Sequence, residues 1–222
     1  NLNAQEIDTV VAGLPTEPPR AGSGDPRTAR AKGWKRYDAN PVFDEAELSK
    51  IVKAGVNRLQ EMQLSDGGWG WFSGWSEQSS AHTTAVVVHG LQIAKQNDVA
   101  LIPGVLERGV DWLKRYQEEQ LRRLANVDAD GKPIDKSKPY KVYADNIDAL
   151  VYMVLTDANS SSPPSPARGG AGGGAAMRDR LYKDRTHLDV YGMAVYGLAL
   201  HNQHDTEKLG MILPNIRQHV VD

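Results

Sequence analysis

The sequence predicts an all-α fold, specifically an α/α toroid or an arc of one, in which inner and outer helices alternate. Three observations lead there. From residue 44 onward the apolar residues recur at helical spacing, and no segment reads convincingly as a strand. Helices with one apolar face alternate with helices apolar almost all round, as expected where one layer is half wet and the next enclosed. The stretch QLSDGGWGWFSGW (63–75) places three of the chain's five tryptophans and four glycines in the turn after the first helix. A four-helix bundle would carry one apolar stripe per helix instead. A plain α-solenoid is the simpler alternative.

The elements follow in order. Residues 1–43 include PTEPPRAGSGDPRTARAKG (15–33), rich in Pro, Gly and charge, which reads as an irregular arm. The helical domain then runs over 44–222. DEAE (44–47) carries a capping pattern, and Leu48, Ile51, Val52, Val56, Leu59 and Met62 follow as a stripe. AHTTAVVVHGLQIAKQ (81–96) leaves almost no polar face and should be buried on several sides. The β-branched run Val86, Val87, Val88 hints at a strand, but length and flanks favour helix. A third helix is expected from Pro103, with Leu106, Val110, Leu113, Leu121 and Leu124 on one face. A polar loop (126–139) precedes a second apolar helix over 144–158. SSSPPSPARGGAGGGAA marks a flexible insertion at about 159–176. A short charged helix (177–184) leads into a third apolar helix over 186–203, for which Thr186 and Asp189 supply the capping pattern. The last helix (205–220) is amphipathic, and Pro214 should kink it or end its first half.

Composition narrows the function classes. The chain has 222 residues, 26 basic and 28 acidic, so no basic excess points to nucleic acid. No apolar run approaches the roughly 20 residues of a membrane span. Cysteine is absent, which removes disulfides, thiolate metal sites and any Cys nucleophile or thioester within these residues. With no starting Met and no signal peptide, the chain reads as part of something longer, so missing targeting signals say nothing of location.

Within the turn, Gly67 and Gly68 supply the backbone freedom for a tight exit. Trp69 can fold back on the helix just ended, and the Gln63 amide can cap the neighbouring helix terminus. Gln63, Gly67 and Trp69 fit Q-x-x-x-G-x-W, with Asp66 between them. This spacing resembles the repeat of triterpene cyclases. Related Gly-Gly-aromatic-Gly turns occur in protein prenyltransferases and complement-type thioester domains, which are all α/α toroids. That reading makes Trp69 structural. Trp71, Phe72 and Trp75 are not needed by such a turn, and they are candidates either for the core or for a partner surface.

Candidate chemistry is sparse. The D-x-D-D acid of a terpene cyclase is missing, and its nearest counterpart, DADG (128–131), lies in a polar loop. A prenyltransferase zinc site needs a Cys. His82 and His89 share a helix face seven residues apart, whereas metal helices more often space ligands by three or four. They read as a first-turn residue and a buried, hydrogen-bonded histidine, while His187, His201, His204 and His219 read as surface residues. DADGKPID (128–135) partly resembles a calcium loop but lacks the terminal Glu. No phosphate loop or nucleotide fingerprint occurs. No cofactor is therefore expected.

The segments VNRLQEMQLSDGGWGWFSG (56–74) and SSAHTTAVVVHGLQIAKQ (79–96) resemble bacterial alpha-2-macroglobulin-like proteins. In those proteins a helix ends in a Q-x-x-DGG-aromatic turn and a Thr-rich apolar helix follows. DNIDALVYMVLTDA (145–158) and LDVYGMAVYGLALHNQ (188–203) resemble the later inner helices of the same domain. The resemblance implies a thioester-type domain of a protease trap, with proteases and the parent's other domains as partners. It also implies a periplasmic or extracellular place. The family's thioester comes from a Cys-x-Glu-Gln motif. This chain has no Cys, so no thioester residue carries over.

Two other classes stay open. A toroid enzyme (a lyase, glycosidase or cyclase) could use central carboxylates, with Asp145, Asp148 and Asp189 at the starts of apolar helices as candidates. The structural reading of these three is helix capping. An interaction module could instead use Trp71, Phe72 and Trp75 as its anchor.

Overall fold

The computed structural model describes residues 44–71, 76–128, 130–134, 141–160 and 171–219. The chain divides into two compact units, Asn1–Leu48 and Ser49–Asp222. Of the first unit only residues 44–48 are described, the first turn of α1 (Glu45–Glu61). Asp44 caps that turn, its Oδ1 accepting from the N–H groups of Ala46 and Glu47, both at 3.0 Å.

The fold is all-α. Among the described residues no strand forms, and Val127 and Pro133 make an isolated antiparallel bridge. After α1 come α2 (Ala81–Gln96), α3 (Val105–Ala125), α4 (Asn146–Ser160), α5 (Ala171–Lys183), a short 3-10 turn (Arg185–His187), α6 (Val190–Asn202) and α7 (Thr206–Arg217). No helix among the described residues is long and apolar enough to cross a membrane.

The apolar sequences of α2, α4 and α6 form one row, with α4 in the middle packed on both others. Helices α3 and α5 pack on each other and on α4 as a second row, and α7 covers α6. Helix α4 is enclosed as its sequence predicts: every described side chain from Asp148 to Thr156 is buried. Helices α4 and α6 run parallel. At one end the Asp189 N–H donates to Asn146 Oδ1 at 3.1 Å, and at the other Asn202 Nδ2 donates to Asp157 Oδ1. Between those ends Tyr152 and Tyr196 lie 6.2 Å apart, and the Tyr152 hydroxyl donates to Gln203 Oε1. Gln92 joins α2 to α4 by donating from Nε2 to the Val154 carbonyl at 3.1 Å, while its buried Oε1 has no hydrogen-bond partner among the described residues.

Several expectations change. Helices α2 and α6 are open on one face: Val86 (49% exposed) and Ile93 on α2, Tyr191 and Leu198 (54%) on α6. They stand at the ends of the row, where only one side has a neighbouring row helix. An apolar sequence reports what a helix can bury, not what is present to bury it. Leu48 and Ile51 at the start of the α1 stripe are exposed as well, and the buried positions are Val56 and Gln60. Helix α3 starts at Val105, after Gly104 with φ +84°, so Pro103 lies in the turn before it. Helix α5 begins at Ala171, inside the stretch expected as an insertion, while 161–170 lies outside the described residues. Met177 and Leu181 are fully buried there, and tertiary packing of this kind overrides the poor helix propensity of glycines 172–174. Helix α6 is capped by Asp189 alone, whose Oδ1 accepts from the Gly192 N–H at 2.7 Å, while Thr186 belongs to the 3-10 turn. Helix α7 runs through Pro214 without ending, with Ile212 buried just before it.

Candidate functional site

The turn from Gln63 to Trp71 sits where α1, α2 and α3 meet. Its backbone closes on itself: the Gly67 N–H donates to the Leu64 carbonyl and the Leu64 N–H to the Gly68 carbonyl, both at 2.9 Å. Gly67 has φ +94°, and a Cβ there would stand 2.8 Å from the Arg108 carbonyl oxygen. Both the left-handed conformation and the closeness of α3 therefore require glycine.

Trp69 is 2% exposed and makes contact with all three helices. Its indole Nε1 donates to the Leu59 carbonyl of α1 at 2.7 Å, so the ring does fold back on the helix it follows. Its N–H donates to Thr84 Oγ1 of α2 at 2.9 Å, and its carbonyl accepts from the Ser80 N–H at 2.8 Å and from the Thr84 hydroxyl at 3.2 Å. The far edge of the ring rests on α3 at Gly109, where a Cβ would meet Trp69 Cζ3 at 2.8 Å and Val88 Cγ2 at 2.7 Å. Thr84 and Ser80 belong to the Thr-rich start of α2, where Ser80 also serves as N-cap.

Gln63 bridges the turn to α3, but in the opposite polarity from a helix N-cap. Its Nε2 donates to the carbonyls of Gly67 and Val105, both at 2.9 Å, and its Oε1 accepts from the Arg108 guanidinium. The first N–H groups of a helix need acceptors. Here the amide instead satisfies two carbonyls and lets an arginine satisfy its own oxygen.

Asp66 is the polar centre of the turn. Its Oδ1 accepts from the Ser79 hydroxyl at 2.7 Å and the Gly68 N–H at 3.1 Å, while its Oδ2 accepts from Trp112 Nε1 of α3 at 2.9 Å. Arg115 donates to the Asp66 carbonyl at 2.7 Å. Trp112 in turn stacks on Tyr116, their centroids 5.9 Å apart. Burial pushes the Asp66 carboxyl up, but the hydrogen bonds from Ser79, Gly68 and Trp112 outweigh it and hold the group below its ordinary 3.8. A depressed native value means the stabilisation is present above the unfolded value and is lost as pH falls through the native one. Compared with Asp66→Asn, the wild-type chain should thus hold a constant advantage well above the ordinary 3.8 and lose it as pH falls below that value. Urea midpoints of the two proteins across that range check this; an advantage that grows in acid would show the carboxylate to be strained instead.

Trp71 is 68% exposed, whereas Phe72 and Trp75 lie outside the described residues. The structure therefore separates Trp69, locked in the helix junction, from Trp71, which points no large apolar area into the core. Missed in the sequence were the partners on α3, Arg108, Gly109, Trp112 and Arg115. They lie some forty residues downstream, and their only sequence signal was a glycine and a tryptophan within an otherwise amphipathic helix.

The three carboxylates of the alternative reading act as helix caps, and Asp145 and Asp148 lie together at the start of α4. Asp145 caps α4, its Oδ1 accepting from the N–H groups of Ile147 (2.9 Å) and Asp148 (3.1 Å). Asp148 completes a reciprocal capping box, its Oδ2 accepting from the Asp145 N–H at 2.9 Å. Asp189 caps α6. A cavity of about 160 Å³ does open on the surface, but it is lined by Lys95, Leu101, Ile102, Pro103, Leu106 and Glu107 and by none of these carboxylates. His82 is exposed. His89 is half-buried, its Nδ1 3.3 Å from Asp157 Oδ2, rather than enclosed as expected. The histidines at 187, 201, 204 and 219 are exposed, with His187 stacked on Tyr143 at 4.1 Å. Asp128 directs Oδ1 at the N–H groups of Asp130 and Lys132, and Asp135 lies outside the described residues. Among the described residues no three His, Asp or Glu side chains are grouped to hold a metal.

Comparison with known proteins gives one line of evidence. Over 78 residues, 35% of this chain, the sequence is 32% identical to an alpha-2-macroglobulin of Thermotoga maritima. The match spans 5% of that protein's length. No family model matches the chain, and no solved structure matches it. The chain is thus similar to a part of an alpha-2-macroglobulin.

Proposed function

We propose that this chain is a helical, thioester-domain-like part of a bacterial alpha-2-macroglobulin-like protease trap, contributing conformation and contacts rather than chemistry. The similarity over 78 residues carries the reading. The two rows of helices and the junction built by Gln63, Asp66, Gly67, Gly68 and Trp69 support it. In this reading the row of α2, α4 and α6 is the inner layer of an α/α-toroid arc, and α3 and α5 belong to the outer layer. The turn is a clasp that fixes one outer-to-inner crossing. No thioester arises within the chain, since it contains no Cys. Its partners are proteases and the other domains of the parent protein, in the periplasm or outside the cell. Reading the gene on both sides of this segment tests the proposal. Strand-rich domains and a protease-sensitive bait segment are expected upstream, and a gene without them removes it.

A partner surface at the turn is a second reading, favoured by the exposure of Trp71. Trp71→Ala should leave the unfolding free energy within about 0.5 kcal/mol of wild type, as for surface positions that make no special contact. The same change should weaken binding to a neighbouring domain of the parent protein by tenfold or so if Trp71 anchors it, about 1.4 kcal/mol. Thermal melts and titration calorimetry separate the two effects; a large loss of stability would place Trp71 in the core instead.

A further inference from the structure

Helix α5 is held unevenly along its length. Its apolar anchors, Met177 and Leu181, are fully buried and lie from its middle onward. Its polar ties begin there too. The Arg178 carbonyl accepts from the Tyr196 hydroxyl at 2.8 Å, and Arg178 Nε lies 3.7 Å from Asp205 Oδ2. Arg180 donates to Asp184 Oδ2 and to the Val142 carbonyl, both at 2.6 Å. Ahead of Met177, Gly173 and Gly174 are half-buried, and Ala175 and Ala176 are exposed. A stretch with little buried apolar surface opens more readily than the core beside it.

Glycines 172–174 fall in this first part of the helix. At Gly67 and Gly109 the fold demands glycine, but at Gly173 and Gly174 it does not. Neither has a left-handed φ. A Cβ on Gly174 would meet nothing within 4 Å, and one on Gly173 would touch Gln117 Nε2 of α3 at 3.9 Å, an ordinary contact. Alanine fits at both positions, and each glycine lowers the helical population about fivefold relative to alanine.

Gln117, which Gly173 faces, adds a second and independent cause. It is 6% exposed, and its Oε1 is buried without a hydrogen-bond partner among the described residues. An unpaired buried acceptor costs free energy that access to water returns. Both causes favour one movement, because unwinding the start of α5 frees the glycine backbone and lets water reach Gln117.

We propose that residues 171–176 form a hinged cover on α3, which unwinds and re-forms while Met177–Lys183 stays docked. Closed, it shields the Gln117 amide; open, it bares that amide on the surface of α3. Met177 is the fixed side of the hinge, since its buried side chain and the ties of Arg178 and Arg180 keep the rest of α5 in place. A stretch whose composition reads as a flexible insertion is thereby helical without being fixed. The cover follows from the packing of α5 and stands apart from the protease-trap reading.

Amide hydrogen exchange of the whole chain, followed residue by residue by NMR, tests this. In the α-helical pattern the Ala175, Ala176 and Met177 amides bond back to residues 171, 172 and 173. Their protection should be at least about tenfold below that of Leu181 and Tyr182. Low concentrations of urea should hardly change it, because the opening exposes little surface, while protection at Leu181 and Tyr182 falls. Gly173→Ala combined with Gly174→Ala should raise protection at the first three amides about 10- to 30-fold. Gln117→Leu, which keeps the bulk and removes the unpaired oxygen, should raise it about fivefold. Equal protection along α5, or the same urea dependence at both ends, overturns the proposal. So does protection at the first three amides that fails to rise in either variant.

Discussion

Trp69→Ala is expected to lower the unfolding free energy by about 3–5 kcal/mol, the usual cost of deleting a large buried aromatic side chain. The ring fills the junction of α1, α2 and α3, and its removal leaves the Leu59 carbonyl without its indole donor. It also leaves Gly109, which has no side chain, facing the void. Neither neighbour can easily grow into the space, so the site should collapse poorly. Trp69→Phe keeps most of the apolar contact and loses the hydrogen bond, and should cost about 1–3 kcal/mol. Denaturant titration of both variants checks the order. A Trp69→Ala change costing under about 1 kcal/mol would mean the junction does not hold these helices together.

The second large effect concerns a pair of glycines in helices, where one substitution should act in opposite directions. Gly109→Ala gains the helix propensity of alanine, about 1 kcal/mol. That gain is outweighed, because the new Cβ stands 2.7 Å from Val88 Cγ2 and 2.8 Å from the Trp69 ring. Overpacking of this kind typically costs about 1–3 kcal/mol and should leave a net loss. Gly90→Ala on α2 meets nothing within 4 Å and sits on the open face, so the same propensity term should stabilise it by about 0.5–1 kcal/mol. Opposite signs in the two melts mark Gly109 as the place where the tryptophan ring meets a helix backbone. If both substitutions stabilise, the ring is not seated there.

The helical elements were largely legible in the sequence because their apolar spacing is strong. Helix α4 is the plainest case, since an almost unbroken apolar run can only be satisfied in the middle of a row. The same reasoning overreached for α2 and α6, whose sequences resemble that of α4 while Val86, Ile93, Tyr191 and Leu198 stay exposed. Periodicity counts apolar faces but does not count neighbours. Glycines 172–174 looked like loop because local propensity is weak there, yet Met177 and Leu181 bind α5 to the core. At the turn, Gln63, Gly67 and Trp69 were visible as a spacing, and so was the return of Trp69 to the preceding helix. The polarity of the Gln63 amide was not, because it depends on Arg108, which becomes a neighbour only once α3 has folded back. The three capping carboxylates were readable as caps from their positions alone. Lys141, which joins two of them, was not, because nothing in its local sequence marks it as half-buried among acids.

A protease challenge of the full-length gene product decides whether these helices serve a trap. If the protein encloses a protease, as the proposed function has it, large substrates are shut out while the active site stays free. The proposed function therefore predicts that protease mixed with the product loses activity on a large protein substrate while it still cleaves a small peptide. Trp69→Ala in the same product should lose that protection as the helical junction loosens. Full activity on both substrates, with no stable complex between protease and product, sinks the protease-trap reading.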